Sequence, residues 1–129
     1  VSKGAPQAYV TQWKSVKEEI GLAVGAAREL EKEPERLTVA LETYFRLQSV
    51  DAMLVSLGEG IAKYQNPALA ELIRGAIAEV APPRERLRQY IVQLAAVLQE
   101  QLIIANQEAQ RCRTRMLQQA PPRGQGNRP

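Results

Sequence analysis

The sequence predicts an all-α protein: an up-down-up-down four-helix bundle with a long C-terminal helix and a flexible tail. Ala, Leu, Glu, Gln and Arg are abundant and aromatic residues make up only 5% of the chain, which is typical of helix-forming sequences. Apolar residues recur at spacings of three and four, and no segment alternates with the period of two that is typical of a strand. Proline and glycine divide the chain into four such segments.

The first helix is predicted over about residues 6–32, because apolar residues follow a heptad-like seam for more than three heptads. Its members are Pro6, Tyr9, Trp13, Val16, Ile20, Ala23, Ala27 and Leu30. Glu33-Pro34 ends this helix, because a residue before proline is pushed out of the α region. Trp13 lies on the seam, so we expect it in the core.

The second helix is predicted over about residues 35–57, where Gly58 and Gly60 weaken or end it. Its apolar face consists of Leu37, Ala40, Leu41, Tyr44, Leu47, Leu54 and Val55. The third helix is predicted within residues 59–81, and its well-supported part begins at Asn66-Pro67, a good N-cap followed by a good first helical residue. The inward residues of the third helix are Leu69, Leu72, Ile73, Ala76, Ile77 and Val80. Pro82-Pro83 is expected to stop it.

The fourth helix is predicted from near Pro83 to Gln119. Its apolar residues repeat at a mean spacing of about 3.6, which predicts a straight helix. They are Leu87, Ile91, Leu94, Leu98, Leu102, Ala105, Ala109, Cys112 and Met116. Residues 1–120 form one predicted bundle domain, and residues 121–129 form the flexible tail. The end of the fourth helix overhangs the others, and we expect Tyr9 and Trp13 to cover it. A second copy or another partner is the alternative.

Composition excludes most enzyme classes. The chain has no histidine and one cysteine, Cys112, so it lacks His-activated nucleophiles, histidine zinc sites and an internal disulfide. It contains neither a phosphate-binding glycine loop nor a GxSxG elbow. We therefore predict no catalytic, metal-binding or cofactor-binding residues. Cys112 lies on the apolar stripe, where a buried thiol would be structural.

Two polar residues, Gln48 and Asp51, fall within the apolar arc of the second helix. A partly buried carboxylate needs a partner. A tight first turn places residue i opposite roughly 67 − i, which makes Lys17 the expected partner of Asp51. Lys17, Gln48 and Asp51 therefore form either a structural polar cluster or the lining of a ligand pocket.

Basic residues are concentrated at the C-terminus. Residues 1–108 carry 12 Lys/Arg and 14 Asp/Glu, whereas residues 109–129 carry five arginines and no acid. Arg111, Arg113 and Arg115 either complement the helix dipole or contact an anion or an acidic partner. No recognition-helix turn and no stacking aromatic accompanies them, which disfavours nucleic acid.

Gly21 and Gly25 share one face of the first helix. This spacing indicates the close approach of another helix, either from the same chain or, as the less favoured alternative, from a second copy.

The function predicted from these observations is that of a non-enzymatic interaction or structural module, through a protein partner or self-association. A ligand-binding or sensory bundle with a pocket near Gln48 and Asp51 is one alternative, and a polyanion-binding protein using the C-terminal arginines is another. No apolar stretch approaches the length of about 20 residues that a transmembrane helix needs. The first residue is Val1 rather than Met, which favours a bacterial protein exported to the periplasm or secreted, with trimming of the chain as the other explanation.

Overall fold

The computed structural model describes residues 7–63 and 66–119, and all three secondary-structure elements in these residues are α-helices. Helix α1 spans Gln7–Lys32, α2 spans Leu37–Ala62 and α3 spans Pro67–Gln119. The all-α class is confirmed, but the four-helix bundle is not: the predicted third and fourth helices are one continuous helix, α3, so the described residues form three helices. The chain divides into two compact units, Val1–Leu94 and Ala95–Pro129. The predicted tail, 121–129, lies outside the described residues, and a single domain over 1–120 stays a prediction.

The prediction that Pro82-Pro83 would separate two helices is wrong, because α3 continues through both prolines. Proline lacks the N–H that would bond the carbonyl four residues earlier. The two carbonyls affected belong to Ala78 and Glu79, and both of these residues are exposed. Water can therefore replace the lost hydrogen bonds, and the fixed φ of proline, near −65°, remains compatible with a helix.

Helices α1 and α2 form an antiparallel hairpin. Gln12 Nε2 donates to Ser56 Oγ at 3.1 Å, and Arg46 Nη1 donates to Glu19 Oε2 at 3.3 Å. Both pairs lie within two residues of the register expected from a tight turn. The turn itself carries a hydrogen bond from Arg36 N to Glu33 O at 3.1 Å.

Helix α2 runs beyond its predicted end to Ala62, and its last two glycines serve packing rather than termination. A Cβ on Gly60 would lie 2.9 Å from Cζ and Oη of Tyr9, and a Cβ on Gly58 would lie 3.2 Å from Cγ2 of Ile73. Each glycine thus allows a side chain from another helix to approach the α2 backbone closely.

The core of the first unit contains buried residues from all three helices: Val16, Ala23, Val50, Leu54, Leu57 and Ile73. The seam of α1 is only half covered by this core. Trp13, which was expected to be buried, is 44% exposed. Val55 was expected on the inner face of α2 and is also exposed.

Helix α3 begins at a side-chain cap. Asn66 Oδ1 accepts a hydrogen bond from Leu69 N at 3.2 Å, which confirms the predicted N-cap.

Contacts between α3 and the hairpin lie on both sides of Pro82-Pro83. Before the prolines, Ile73 packs at Gly58. After them, the Tyr90 hydroxyl donates to the carbonyl of Pro34, and Ile91 is buried. These contacts favour a helix that persists through the prolines.

The second unit, taken by itself, is helical from Ala95 to Gln119, and every residue from 99 to 119 is exposed. Cys112 is exposed too, so the prediction of a buried thiol is wrong. The physical reason is that this unit's described residues form a single helix, which cannot bury its own apolar stripe. Of Tyr9 and Trp13, the expected cover of this stripe, Tyr9 packs against the core of the first unit, and Trp13 is exposed.

Among the described helices, none is long and apolar enough to cross a membrane.

Candidate functional site

The described residues of the first unit form an apolar groove between the three helices, with a volume of about 1000 Å³. We call it the three-helix groove. Helix α1 contributes residues from Tyr9 to Ala27, α2 contributes residues from Leu47 to Ile61, and α3 contributes residues from Leu69 to Val80. Helix α2 forms the floor, since its lining residues Val50, Leu54 and Leu57 belong to the buried core.

The groove is bounded by the packing of all three helices. Helices α1 and α2 are in close contact along the hairpin, and α3 approaches the α2 backbone where Ile73 packs at Gly58. The groove lies between α1 and α3, above α2.

Large apolar side chains along the walls of the groove are exposed to solvent. On α1 these are Val10, Trp13, Ile20 and Val24, and on α3 they are Leu69 and Leu72. Leu72 is 72% exposed. A contiguous patch of this kind on a small domain marks an interaction site more often than a free surface.

The lining of the groove is apolar or aromatic except for Asn66, whose side-chain oxygen already caps α3. No ionisable carboxylate, lysine or arginine lines it. In the part of the chain that the structure describes, no three Asp, Glu or Cys side chains come close enough together to hold a metal ion. The groove is therefore suited to bind apolar surface.

The structure brings two of the three predicted polar residues together. Gln48 and Asp51 line a small polar pocket of about 270 Å³ between α2 and α3. Asp51 is ion-paired, as expected, but its partner is Arg84 of α3, with Arg84 Nη1 3.0 Å from Asp51 Oδ1. Gln48 Nε2 donates to the Tyr44 hydroxyl at 3.1 Å. The principal polar groups of this pocket are thus already bonded to one another.

Lys17 does not belong to this cluster. Its Nζ lies 5.9 Å from the centre of the Trp13 ring one turn earlier in α1, a cation–π contact. Asp51 lies at the expected level along the hairpin but on the face of α2 that is turned toward α3. The expected pairing of Asp51 with Lys17 is therefore replaced by the pairing with Arg84.

Sequence reasoning missed the α3 side of the polar pocket, to which Arg84, Glu85 and Arg88 contribute. Arg88 Nε donates to Glu85 Oε2 at 2.6 Å, and this hydrogen bond raises the pKa of the Arg88 guanidinium above its ordinary value. Arg84 and Arg88 are four residues apart and therefore share a helix face. This spacing is the feature of the sequence that could have identified the α3 side of the pocket.

The three predicted anion-contacting arginines lie on the exposed helix of the second unit. Arg111 Nη1 is 3.1 Å from Glu108 Oε1, and Arg113 Nε donates to the Ala109 carbonyl at 3.5 Å. Successive arginines two residues apart point to different sides of a helix. The structure therefore does not gather Arg111, Arg113 and Arg115 into one patch.

The close approach of another helix that was expected at Gly21 and Gly25 is not found within the described chain. A Cβ at either position would find nothing within 4 Å, so no neighbouring helix of the described chain packs closely there.

Comparison of the chain with protein-family models, with curated proteins and with solved structures finds no match.

Proposed function

We propose that the chain is a non-enzymatic interaction module whose three-helix groove binds the apolar face of an amphipathic helix. The observation that carries the proposal is the extent of the groove. Its α1 wall includes lining residues from Tyr9 to Ala27, which corresponds to about 27 Å of helix. An amphipathic helix bound in such a groove anchors through residues spaced three and four apart.

The lining favours a helix over a small molecule. Small-molecule sites are mostly apolar, but they include a few polar groups that fix the orientation of the ligand. Only three lining residues of the three-helix groove carry polar side-chain groups, Tyr9, Trp13 and Asn66, and the Asn66 side chain caps α3. An apolar surface with so few polar groups recognises mainly shape and apolar area, as helix-binding grooves do.

The energy available is sufficient for binding. Complete burial of a Leu, Val or Ile side chain contributes about 1.5–3 kcal/mol, and partly exposed side chains contribute proportionately less. Association itself costs roughly 4–15 kcal/mol. Several anchors must therefore be buried together, which requires a helix that follows much of the groove rather than one inserted side chain.

The two other functions suggested by the sequence gain less support. The polar pocket near Gln48 and Asp51 is small, and its Asp51 carboxylate already pairs with Arg84. A ligand would have to compete with that pair. Arg111 already pairs with Glu108. Both functions stay predictions.

Trp13 provides the test, because it lines the groove and is the only tryptophan in the chain. A synthetic amphipathic peptide of about 18 residues, with Leu on one face and mixed Glu and Lys on the other, covers the length of the groove. Titration should shift Trp13 emission to shorter wavelength and saturate. A peptide of the same composition with its leucines distributed around the helix should cause no shift.

Two substitutions locate the binding site. Leu72→Glu places a charge on the groove wall and should weaken peptide binding at least about tenfold, equivalent to 1.4 kcal/mol. Val92→Glu adds the same charge at a residue that is 57% exposed and does not line the groove, and it should leave the affinity unchanged. Equal binding by both variants, or no binding by the parent chain at concentrations where it is monomeric, would refute the proposal.

A further inference from the structure

We infer that the helix bound in the three-helix groove is the C-terminal helix of a second copy of this chain. The inference rests on the proposed function of the groove and specifies its occupant. The occupying surface is the C-terminal stripe, defined as Leu98, Leu102, Ala105, Ala109, Cys112 and Met116.

The first argument is that this stripe is exposed to solvent. From Leu102 to Met116 all its residues are exposed, although their spacing is that of one helix face. Isolated helices are marginal in water and are stabilised mainly by packing of an apolar face. The second unit's described residues supply no element that packs on this face, so its partner must come from elsewhere.

The second argument is the match in length. The stripe extends over the 19 residues from Leu98 to Met116, and the α1 wall of the groove extends over the 19 residues from Tyr9 to Ala27. Both correspond to about 27 Å of α-helix. One chain thus carries a groove and a helix of the same length, in a fixed ratio of one to one.

The second argument is joined by a third, from the number of helices. The sequence predicts a separate fourth helix over residues 83–119, whereas in the structure these residues continue α3. The C-terminal helix of a second copy, placed between α1 and α3, would complete a four-helix bundle around the floor formed by α2. Because the contact joins two different surfaces, the copies associate either in a closed ring or in an open chain.

Sedimentation equilibrium of the full chain tests the inference. The weight-average mass of the parent chain should rise above its monomer mass of 14.3 kDa as concentration rises. Leu72→Glu in the groove and Leu102→Glu in the stripe should each weaken self-association at least about tenfold. Their matched controls, Val92→Glu and Gln107→Glu, add the same charge away from both surfaces and should associate as the parent does.

Mixing the two impaired variants is the decisive measurement. The Leu72→Glu chain keeps an intact stripe and the Leu102→Glu chain keeps an intact groove, so together they can form one complete contact. The mixture should have a higher mean mass than either variant alone. Val24→Glu is a second groove variant at an exposed wall residue, and it should behave as Leu72→Glu does. Far-UV circular dichroism confirms that each variant is folded.

Two results would overturn the inference. If Leu102→Glu abolishes association while both groove variants retain it and mixing restores nothing, the stripes pair with each other. If the parent chain stays monomeric at every concentration, the occupant is not a second copy. In either case, saturable binding of the synthetic peptide to the Leu102→Glu chain would leave the proposed function of the groove intact, whereas loss of that binding would remove both.

Discussion

The ion pair between Asp51 and Arg84 allows the attachment of α3 to the hairpin to be measured. Arg84 Nη1 lies 3.0 Å from Asp51 Oδ1, and the two side chains are 24% and 25% exposed. Replacing each residue by alanine, singly and together, gives a double-mutant cycle. The cycle isolates the interaction between the two side chains from the other effects of each substitution.

The expected magnitude lies between two limits. Fully exposed ion pairs contribute about 0–1 kcal/mol, whereas breaking a buried pair costs about 3–5 kcal/mol. Because about three quarters of each side chain is shielded from solvent, we expect a coupling energy of about 1–2 kcal/mol. The single change Asp51→Ala should cost about 1–3 kcal/mol, since it leaves Arg84 partly buried without its partner.

Urea unfolding followed by far-UV circular dichroism gives the four free energies, and an unchanged m-value shows that the unfolded states are comparable. The exposed pair Arg74–Glu71, whose side chains are 67% and 68% exposed, is the matched control. Its coupling should be only about 0.2–0.5 kcal/mol. The reasoning is refuted if the Asp51–Arg84 coupling does not exceed that of the control, or if Lys17→Ala couples to Asp51→Ala more strongly than Arg84→Ala does.

Three further predictions follow from side-chain environments. Gly21→Ala and Gly25→Ala should each stabilise the chain by about 0.5–1 kcal/mol in urea unfolding, because a Cβ meets nothing within 4 Å and alanine is the better helix former; destabilisation would reveal a neighbour at this face. Gly60→Ala should lower the melting temperature despite its better helix propensity, because its Cβ would lie 2.9 Å from Tyr9 Cζ; an unchanged or higher value would show that the ring moves aside. At low protein concentration Cys112 should react with a thiol reagent at nearly the rate seen in urea, since it is exposed, and slower labelling as concentration rises would accompany self-association.

The helical class and the hairpin register could be predicted because both depend on local features. Apolar spacing specifies a helix face, and a short turn fixes which residues of two antiparallel helices lie level. Gln12 therefore faces Ser56, close to the predicted register. A register gives the level along the helix axis, but it does not say which neighbour a side chain faces. Asp51 was predicted at the right level and with the wrong neighbour for this reason.

The continuity of α3 could not be predicted from local rules. Proline inside a helix costs about 3 kcal/mol or more, which by itself favours a break at Pro82-Pro83. The interactions that offset this cost involve residues distant in sequence. Arg84 pairs with Asp51, the Tyr90 hydroxyl donates to the Pro34 carbonyl, and Ile91 is buried. Tertiary packing of this kind routinely overrides intrinsic propensity.

The three-helix groove could not be predicted from local rules either. The apolar seam of α1 could be identified from its spacing, but a seam indicates only that it needs a cover, not which molecule provides that cover. Val16 and Ala23 are buried within the chain, while Trp13 and Ile20 on the same seam remain exposed. In this structure the wall helix α1 keeps part of its apolar seam open toward the groove. The proposed self-association explains both the exposed half of this seam and the exposed C-terminal stripe, because it would bury the two surfaces against each other.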